Sequence, residues 1–125
     1  MKRLAQILFL ALSFSIAAIS AAAPFDQRAF EAAQSAGKPV LVEVHADWCP
    51  TCAKQKPIIG SLLSRPNMKA YQVFTIDFDS QKDLLKRFGV QMQSTLIVYK
   101  GKQEVGRSTG ETDQQKIGAL LEKAL

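Results

Sequence analysis

The sequence predicts an α/β domain with one mixed central sheet that is covered by helices on both faces. Short apolar runs typical of buried strands alternate along the chain with stretches of helical periodicity. Only the last two strand-like runs follow each other directly, which indicates an antiparallel pair at that end of the chain. The 125-residue chain has room for one such domain and contains no repeat or long linker. The predicted order of elements is therefore α-β-α-β-α-β-β-α.

The first three elements are a helix, a buried strand and a second helix. A helix is predicted over residues 25–36, where alanine and phenylalanine recur at helical spacing before Gly37 ends it. Residues 40–44, with the sequence VLVEV, form an almost continuous apolar run typical of a strand that is buried on both faces. Residues 53–64 are predicted to form the next helix, which Pro57 should kink.

The middle of the chain predicts another strand and a short helix. Residues 71–76 are rich in β-branched and aromatic side chains, which favour a strand. A helix is predicted over 80–88, because Ser80 and Asp83 have the spacing of a capping box and Gly89 follows as a stop. The large apolar side chains expected in the core are Phe25, Phe30, Phe74, Phe78, Phe88, Leu96 and Val98.

The last third of the chain predicts a hairpin and a final helix. Residues 95–99 form an apolar strand, and a short turn containing glycine leads to a second strand over 104–107. An amphipathic helix is predicted over 112–125, with Thr112 and Gln115 spaced to cap its start. The hairpin makes the sheet mixed, because the preceding strands are connected through helices.

Composition and charge narrow the classes of function. Apolar residues make up 47% of the chain and charged residues 22%, values that exclude disordered and collagen-like proteins. The net charge is +5, but no basic block follows Lys2 and Arg3, so no nucleic-acid partner is expected. Two cysteines are too few for a scaffold of several disulfides.

Residues 1–22 have the build of a secretory signal peptide. A positively charged start precedes an apolar run over 4–19, and small residues follow it. Cleavage is predicted after Ala22, which leaves a domain over 23–125 in the periplasm or outside the cell. An uncleaved membrane anchor is the alternative, although the apolar run is shorter than the ~20 residues that a spanning helix needs.

Cys49 and Cys52 are separated by two residues where the first strand meets the second helix. The start of a helix carries unpaired N–H groups and a partial positive charge, which stabilise a thiolate. Cys49 is therefore predicted to be the attacking sulfur. Cys52 lies about one turn later and is predicted to be the more buried of the two, so it resolves a mixed disulfide. Pro50 suits an early helical position, where no N–H partner is needed.

Three other interpretations of the cysteine pair remain open. A closed structural zinc site needs about four ligands, but the chain has two cysteines and one histidine, so carboxylates would have to complete it. A permanent structural disulfide would close a very small loop and constrain the unfolded chain little. A metal-binding or metallochaperone domain would use Cys49 and Cys52, with His45 as a further ligand.

The segment VLVEVHADWCPTC, with Pro57, Gly89, Val90 and the run TLIVYKG, resembles the thioredoxin family over residues 25–125. The resemblance implies a thioredoxin-like fold and a thiol–disulfide oxidoreductase without a bound cofactor other than the redox-active pair. It further implies exchange with cysteines of client proteins and with an upstream thiol–disulfide electron donor or acceptor. The leader and the segment ADWC over residues 46–49 are similar to those of bacterial periplasmic members, and this resemblance slightly favours a reductant or isomerase over an oxidant. A monomer is expected, with membrane contact only through an uncleaved leader.

The resemblance also assigns roles to individual residues. It makes Cys49 the nucleophile, Cys52 the resolving thiol and Glu43 the buried acid beneath them. Burial in a strand raises the pKa of a carboxyl group, so Glu43 is expected to accept the proton of Cys52. The alternative is that Glu43 reaches solvent or a lysine. The surface that docks clients is expected to consist of Trp48, Pro50, Gln93, Ser94 and Thr95.

Two residues depart from the family pattern. His45 replaces an aromatic residue, and Ser94 replaces the cis-proline that thioredoxin-like proteins carry before the residue matching Thr95. The Gln93–Ser94 bond is predicted to be trans, because a cis bond without proline costs ~2.5–4 kcal/mol. The N–H and hydroxyl of Ser94 are expected to donate to the Cys49 thiolate, and Ser94→Pro is expected to raise the pKa of Cys49. Loss of the proline ring also favours the metal-binding alternative.

Overall fold

The computed structural model describes residues 22–125. The predicted signal peptide lies outside the described residues, apart from its last residue, Ala22. Within the described residues, no helix is both long enough and apolar enough to cross a membrane.

A five-stranded mixed sheet forms the centre of the molecule. Its strands are β1 (Ala23–Pro24), β2 (Pro39–His45), β3 (Gln72–Asp77), β4 (Thr95–Lys100) and β5 (Gln103–Thr109). They lie in the order β1-β3-β2-β4-β5. β3 runs parallel to both β1 and β2, whereas β4 runs antiparallel to β2 and β5. The mixed sheet and the final hairpin are as predicted, and β1 is an additional edge strand.

Four helices complete the α/β fold. They are α1 (Gln27–Ser35), α2 (Pro50–Leu63), α3 (Lys82–Phe88) and α4 (Gln114–Glu122), and a short 3₁₀ turn spans Pro66–Met68. The eight predicted elements are all present in the predicted order. α2 begins three residues earlier than predicted and continues through Pro57.

Two apolar clusters form the core, one on each face of the sheet. Side chains of β2 alternate between them, because Leu41 joins one cluster and Val42 the other. The first cluster packs α2 and α4 on the sheet, with Ile59, Leu62, Leu96, Val98, Ile117 and Leu121 among its members. The second packs α1 and α3 on the opposite face, with Phe30, Phe74, Ile76, Leu85, Phe88 and Ile97 among its members. Phe25 and Phe78 are half-buried and pack against the second cluster, so the expected core is confirmed.

The predicted helix caps differ from the observed ones. Ser80 does not cap α3, because the Asp77 carboxylate accepts the N–H of Ser80 at 2.9 Å and that turn precedes the helix. At α4 the cap is Asp113, whose carboxylate accepts the N–H of Lys116 at 2.9 Å. The predicted cap at Thr112 is therefore one residue too early. Gly89 ends α3 in the left-handed conformation, φ +63°, as predicted.

Candidate redox site

The two cysteines lie at the junction of β2 and α2. Cys49 is the residue that caps α2, and its Sγ accepts the N–H of Cys52 at 3.0 Å. Pro50 occupies the first turn of the helix, where its missing N–H removes no hydrogen bond. A disulfide joins Cys49 and Cys52, whose Cα atoms are 5.3 Å apart. The first sulfur therefore sits at the positive end of a helix, as predicted.

Burial does not distinguish the two cysteines in this disulfide form. Cys49 is 2% exposed and Cys52 is 4% exposed, so the prediction that Cys52 is the more buried is wrong. The physical reason is that both residues belong to one small cluster with Ala46, against which Phe78 packs.

Trp48 is the most exposed large side chain beside the disulfide, at 58%. Its Nε1 donates to the Asp79 carboxylate at 2.9 Å, and its ring meets Phe78 edge-on with a centroid separation of 6.4 Å. The indole is thus held in place while most of its surface stays open. Pro50 is also exposed, which leaves an apolar surface beside the cysteines.

Ser94 does not donate to the sulfurs. Its N–H donates to the carbonyl of Val44 at 2.8 Å, and its hydroxyl donates to the carbonyl of Gln93 at 2.6 Å. The N–H is engaged by the Val44 carbonyl, just beyond the last position at which β2 pairs with β4. In this disulfide form both groups thus donate to backbone carbonyls, and the expected donation to a Cys49 thiolate, which concerns the reduced form, stays a prediction.

The backbone at Ser94 is unusual. The Gln93–Ser94 bond is trans, as predicted, and Ser94 adopts φ +57° in the left-handed region that favours glycine. Ser94 and Thr95 are both buried, while Gln93 is half-exposed. Of the residues expected to dock clients, three present surface, namely Trp48, Pro50 and Gln93. Ser94 and Thr95 are buried beneath the loop that leads into β4.

Gln55 is a site residue that sequence reasoning missed. It is buried on the inner face of α2, and its Nε2 donates to the carbonyls of Ser94 at 3.1 Å and Glu111 at 2.9 Å. The N–H of Gly110 also donates to the Ser94 carbonyl, at 3.0 Å. The sequence did contain a signal for this residue. Gln55 has the helical spacing of the buried residues Cys52 and Ile59, and a buried polar side chain needs hydrogen-bond partners.

Glu43 lies in the middle of the sheet, paired with Thr75 of β3 and Leu96 of β4, and it lines the same cleft as Cys52. Burial raises the pKa of the Glu43 carboxyl. A hydrogen bond from the Thr75 hydroxyl at 3.4 Å and electrostatic interactions with His45 and Lys56 oppose this effect in part. Glu43 is half-buried. Its environment therefore combines the two alternatives predicted from the sequence, because the carboxyl is desolvated and also interacts with a lysine, Lys56.

His45 ends β2 and pairs with an exposed acid. Its Nε2 lies 3.1 Å from the Asp47 carboxylate. Within residues 22–125, no three cysteine, histidine or acidic side chains come together as a metal-binding group.

Comparison with known proteins identifies the family. The family model described as thioredoxin matches residues 21–123. The chain belongs to the thioredoxin family. Thioredoxin of Chlamydia muridarum is 31% identical over 84 residues, which cover 67% of this thioredoxin-family chain and 80% of the relative. Protein disulfide-isomerase erp38 of Neurospora crassa is 39% identical over 70 residues, which cover 54% of this chain and 19% of the relative.

A solved structure is more similar still. The crystal structure of Trxlp from Edwardsiella tarda EIB202 shares 44% sequence identity with this thioredoxin-family chain, with a TM-score of 0.78. The alignment covers 81% of this chain and 98% of that chain. The fold and the family expected from the sequence are confirmed. This thioredoxin-family protein is a thiol–disulfide oxidoreductase whose two cysteines lie within disulfide distance.

Proposed function

We propose that the protein is exported and exchanges its Cys49–Cys52 dithiol and disulfide with cysteines of client proteins in the periplasm. In this role it works as a reductant or isomerase and is recharged by an upstream thiol–disulfide electron donor. The observation that carries the proposal is the position of the Cys49 sulfur at the start of α2, where it accepts the N–H of Cys52 at 3.0 Å.

The start of α2 suits a thiolate at Cys49. The helix contributes a partial positive charge and one N–H donor to the sulfur, and no acidic side chain lies in its first turn. A thiolate formed there attacks one sulfur of a client disulfide and displaces the other as a thiolate. The product is a mixed disulfide between Cys49 and the client.

The second half of the reaction needs a base near Cys52. Glu43 is the acid that suits this role, because it lines the same cleft as Cys52 and burial raises the pKa of its carboxyl. The Glu43 carboxylate takes the Cys52 proton, and the Cys52 thiolate attacks Cys49. The client leaves with its second thiolate, and the Cys49–Cys52 disulfide forms again.

The docking surface consists of the exposed groups around Cys49. Trp48 and Pro50 offer apolar contact, and Gln93 offers a polar group on the neighbouring loop. Ser94 and Thr95 support that loop from beneath, since Thr95 Oγ1 donates to the Met92 carbonyl at 2.8 Å. A client strand would contact this loop and the indole together.

Two single-thiol variants test the proposed roles against each other. Cys52→Ser keeps Cys49 and should trap clients as mixed disulfides that denaturing gels without reductant reveal. Cys49→Ser keeps only Cys52 and should trap almost none, and neither variant should reduce insulin. Equal trapping by both variants would contradict the assignment of Cys49 as the nucleophile.

The direction of the reaction is tested by the reduction potential of the cysteine pair against glutathione. Thioredoxin-like proteins span about −270 to −120 mV, and a reductant is expected near the lower end of that range. A value near the upper end would overturn the proposed direction. Tight stoichiometric metal binding by the reduced protein, with no reductase activity, would support the metal-binding alternative instead.

Cleavage after Ala22 would keep the described fold intact. β1 starts at Ala23, so cleavage after Ala22 leaves this strand whole, and the N–H of Phe25 still donates to the Thr75 carbonyl at 2.9 Å. The test is the mass and N-terminal sequence of the protein recovered from a periplasmic extract. A chain that begins at Ala23 is expected, and an intact leader in the membrane fraction would favour the anchored alternative.

A further inference from the structure

Met92 is an exposed apolar side chain on the loop that leads into β4. It is 54% exposed, whereas Met68, the other methionine of the described residues, is 1% exposed. The two cysteines are joined in a disulfide and are 2% and 4% exposed. Within residues 22–125, Met92 is therefore the sulfur-containing side chain that solvent reaches most easily.

The loop that carries Met92 is fixed on both sides. Val90 is buried, and its N–H donates to a carbonyl of α3 at 2.8 Å. Ser94 is buried as well, and its N–H donates to the Val44 carbonyl at 2.8 Å. The carbonyl of Met92 itself accepts the Thr95 hydroxyl at 2.8 Å. The exposure of Met92 thus comes from an anchored backbone that directs an apolar side chain to the surface.

The same loop lies beside the sulfurs. The Val44 carbonyl that accepts the N–H of Ser94 is 4.0 Å from the Sγ atom of Cys52. Met92 precedes Ser94 by two residues, and the residue between them is Gln93, which belongs to the proposed docking surface. Met92 therefore continues that surface along the chain, and its flexible thioether can adapt to apolar groups of different shape.

Exposed large apolar side chains are few in the described part of the chain. They are Trp48 at 58%, Met92 at 54% and Leu125 at 45%. Leu125 lies at the opposite end of β4, because its carbonyl accepts the Lys100 ammonium at 3.0 Å and Lys100 is the last residue of that strand. Two of the three thus flank the redox site, and the third provides a control position away from it.

We propose, on the basis of the function proposed above, that Met92 is a client-contacting residue and a site of reversible oxidation by hydrogen peroxide, and that its sulfoxide weakens client docking. The thioether sulfur attacks one oxygen of the peroxide, the sulfur–oxygen bond forms as the oxygen–oxygen bond breaks, and water leaves. The sulfur loses two electrons and the peroxide gains two. The product has a polar group where the docking surface was apolar.

The disulfide form is the state in which Met92 reacts selectively. A reduced cysteine pair would consume peroxide first through its thiolate, whereas the disulfide contains no thiolate. Oxidation of Met92 therefore leaves the cysteine pair chemically intact. The modification changes which clients the protein engages without changing its capacity for disulfide exchange.

The first test locates the added oxygen. The protein in its disulfide form is treated with hydrogen peroxide, and its tryptic peptides are followed by mass spectrometry over time. Trypsin separates Met68, Met92 and Trp48 into three peptides, because lysines lie between them. The peptide with Met92 should gain one oxygen well before the other two. Equal rates for Met68 and Met92 would overturn the proposed site.

The second test measures client binding. Treated and untreated samples are reduced with dithiothreitol, and the initial rate of insulin reduction is recorded against insulin concentration. Oxidation of Met92 should raise KM about fivefold, since apolar contact is lost. The rate at which Cys49 reacts with dithiobis-nitrobenzoate, a small disulfide without a polypeptide chain, should stay the same. Methionine sulfoxide reductases, one for each epimer, should return KM to its starting value.

Two variants move the oxidation site. Met92→Leu removes the reactive sulfur, and the double variant Met92→Leu with Leu125→Met restores an exposed thioether at the end of the chain. Each variant is compared with its own untreated sample, so that the effect of the substitution itself cancels. Peroxide should change KM for insulin in neither variant, although the double variant should gain one oxygen at position 125.

The outcomes distinguish a failure of this inference from a failure of the proposed function. If the untreated protein did not reduce insulin, the function itself would be contradicted. If it did, and KM stayed unaltered after Met92 had gained its oxygen, the role of Met92 would be overturned. A peroxide-dependent rise of KM that persisted in Met92→Leu would assign the effect to another residue and would overturn it as well.

Discussion

The carboxyl group of Glu43 has an environment that a single sequence shows only in part. An acid inside the run VLVEV indicated a desolvated carboxyl, and the structure places it between β3 and β4. The hydroxyl of Thr75 and the nearby Lys56 come from other elements, so their effect depends on tertiary packing. Gln55 was missed for the same reason, because its partners are carbonyls far away in the sequence.

The raised pKa of Glu43 predicts how stability depends on pH. The folded state holds this proton more tightly than the unfolded chain, so the stabilisation is complete below the unfolded value of about 4.3. It is lost as the pH rises through the folded value. Glu43→Gln cannot ionise, so it should raise the melting temperature of the oxidised protein at pH 8 relative to the unaltered protein, with a smaller difference at pH 4.

Glu122→Gln is the control for this prediction. Glu122 is exposed and is the last residue of α4. The substitution therefore removes one carboxylate charge, as Glu43→Gln does, but from a carboxyl group that is not buried. Its effect on the melting temperature should differ little between the two pH values. If Glu43→Gln gave the same difference at both pH values, the carboxyl would not be perturbed as described.

At the scale of elements, strands and the hairpin were predictable, whereas caps and one edge strand were not. The runs in β2 and β4 are apolar and β-branched, and this composition alone favours buried strands. Asp113 and Thr112 are adjacent and both suit a cap, so local backbone geometry decides between them. β1 has only Ala23 and Pro24, and it exists because β3 is there to pair with it.

The loop that leads into β4 yields a prediction about stability, in addition to the expected effect of Ser94→Pro on the pKa of Cys49. Proline cannot adopt the φ of +57° seen at Ser94, and it lacks the N–H that donates to Val44. Ser94→Pro should therefore destabilise the protein by on the order of 2 kcal/mol, measured by urea unfolding.

Ser94→Gly provides the comparison, because glycine accepts this φ and keeps the N–H. It should be close to neutral. Full stability of Ser94→Pro would show that the loop has a second backbone conformation of similar free energy, in which the Val44 carbonyl finds another partner.

At the scale of the whole molecule, hydrogen bonds near the cysteine pair connect three segments that are distant in sequence. Gln55 connects α2 to the loop before β4 and to the loop before α4, through the carbonyls of Ser94 and Glu111. Gly110 adds a second donor to the Ser94 carbonyl. The docking loop is thus attached to helix α2 through one buried amide.

Gln55→Leu should loosen that attachment. The substitution keeps the approximate size of the side chain but leaves the Glu111 carbonyl without this donor, so unfolding free energy should fall by about 1–2 kcal/mol. Client reduction should show a raised KM, while the rate at which Cys49 of the reduced protein reacts with dithiobis-nitrobenzoate is preserved. Gln115→Leu, at an exposed position of α4, should change neither quantity. An unaltered KM in Gln55→Leu would show that the loop before β4 does not contribute to client binding.

The chain contains a single tryptophan, and it is the residue directly before Cys49. The hydrogen bond to Asp79 and the edge-on contact with Phe78 hold its ring in a defined place beside the sulfurs. A neighbouring disulfide quenches indole fluorescence, so emission from this one ring should brighten on reduction. Tryptophan emission is therefore expected to follow the oxidation state of the cysteine pair, so that redox titrations of this protein would need no added dye.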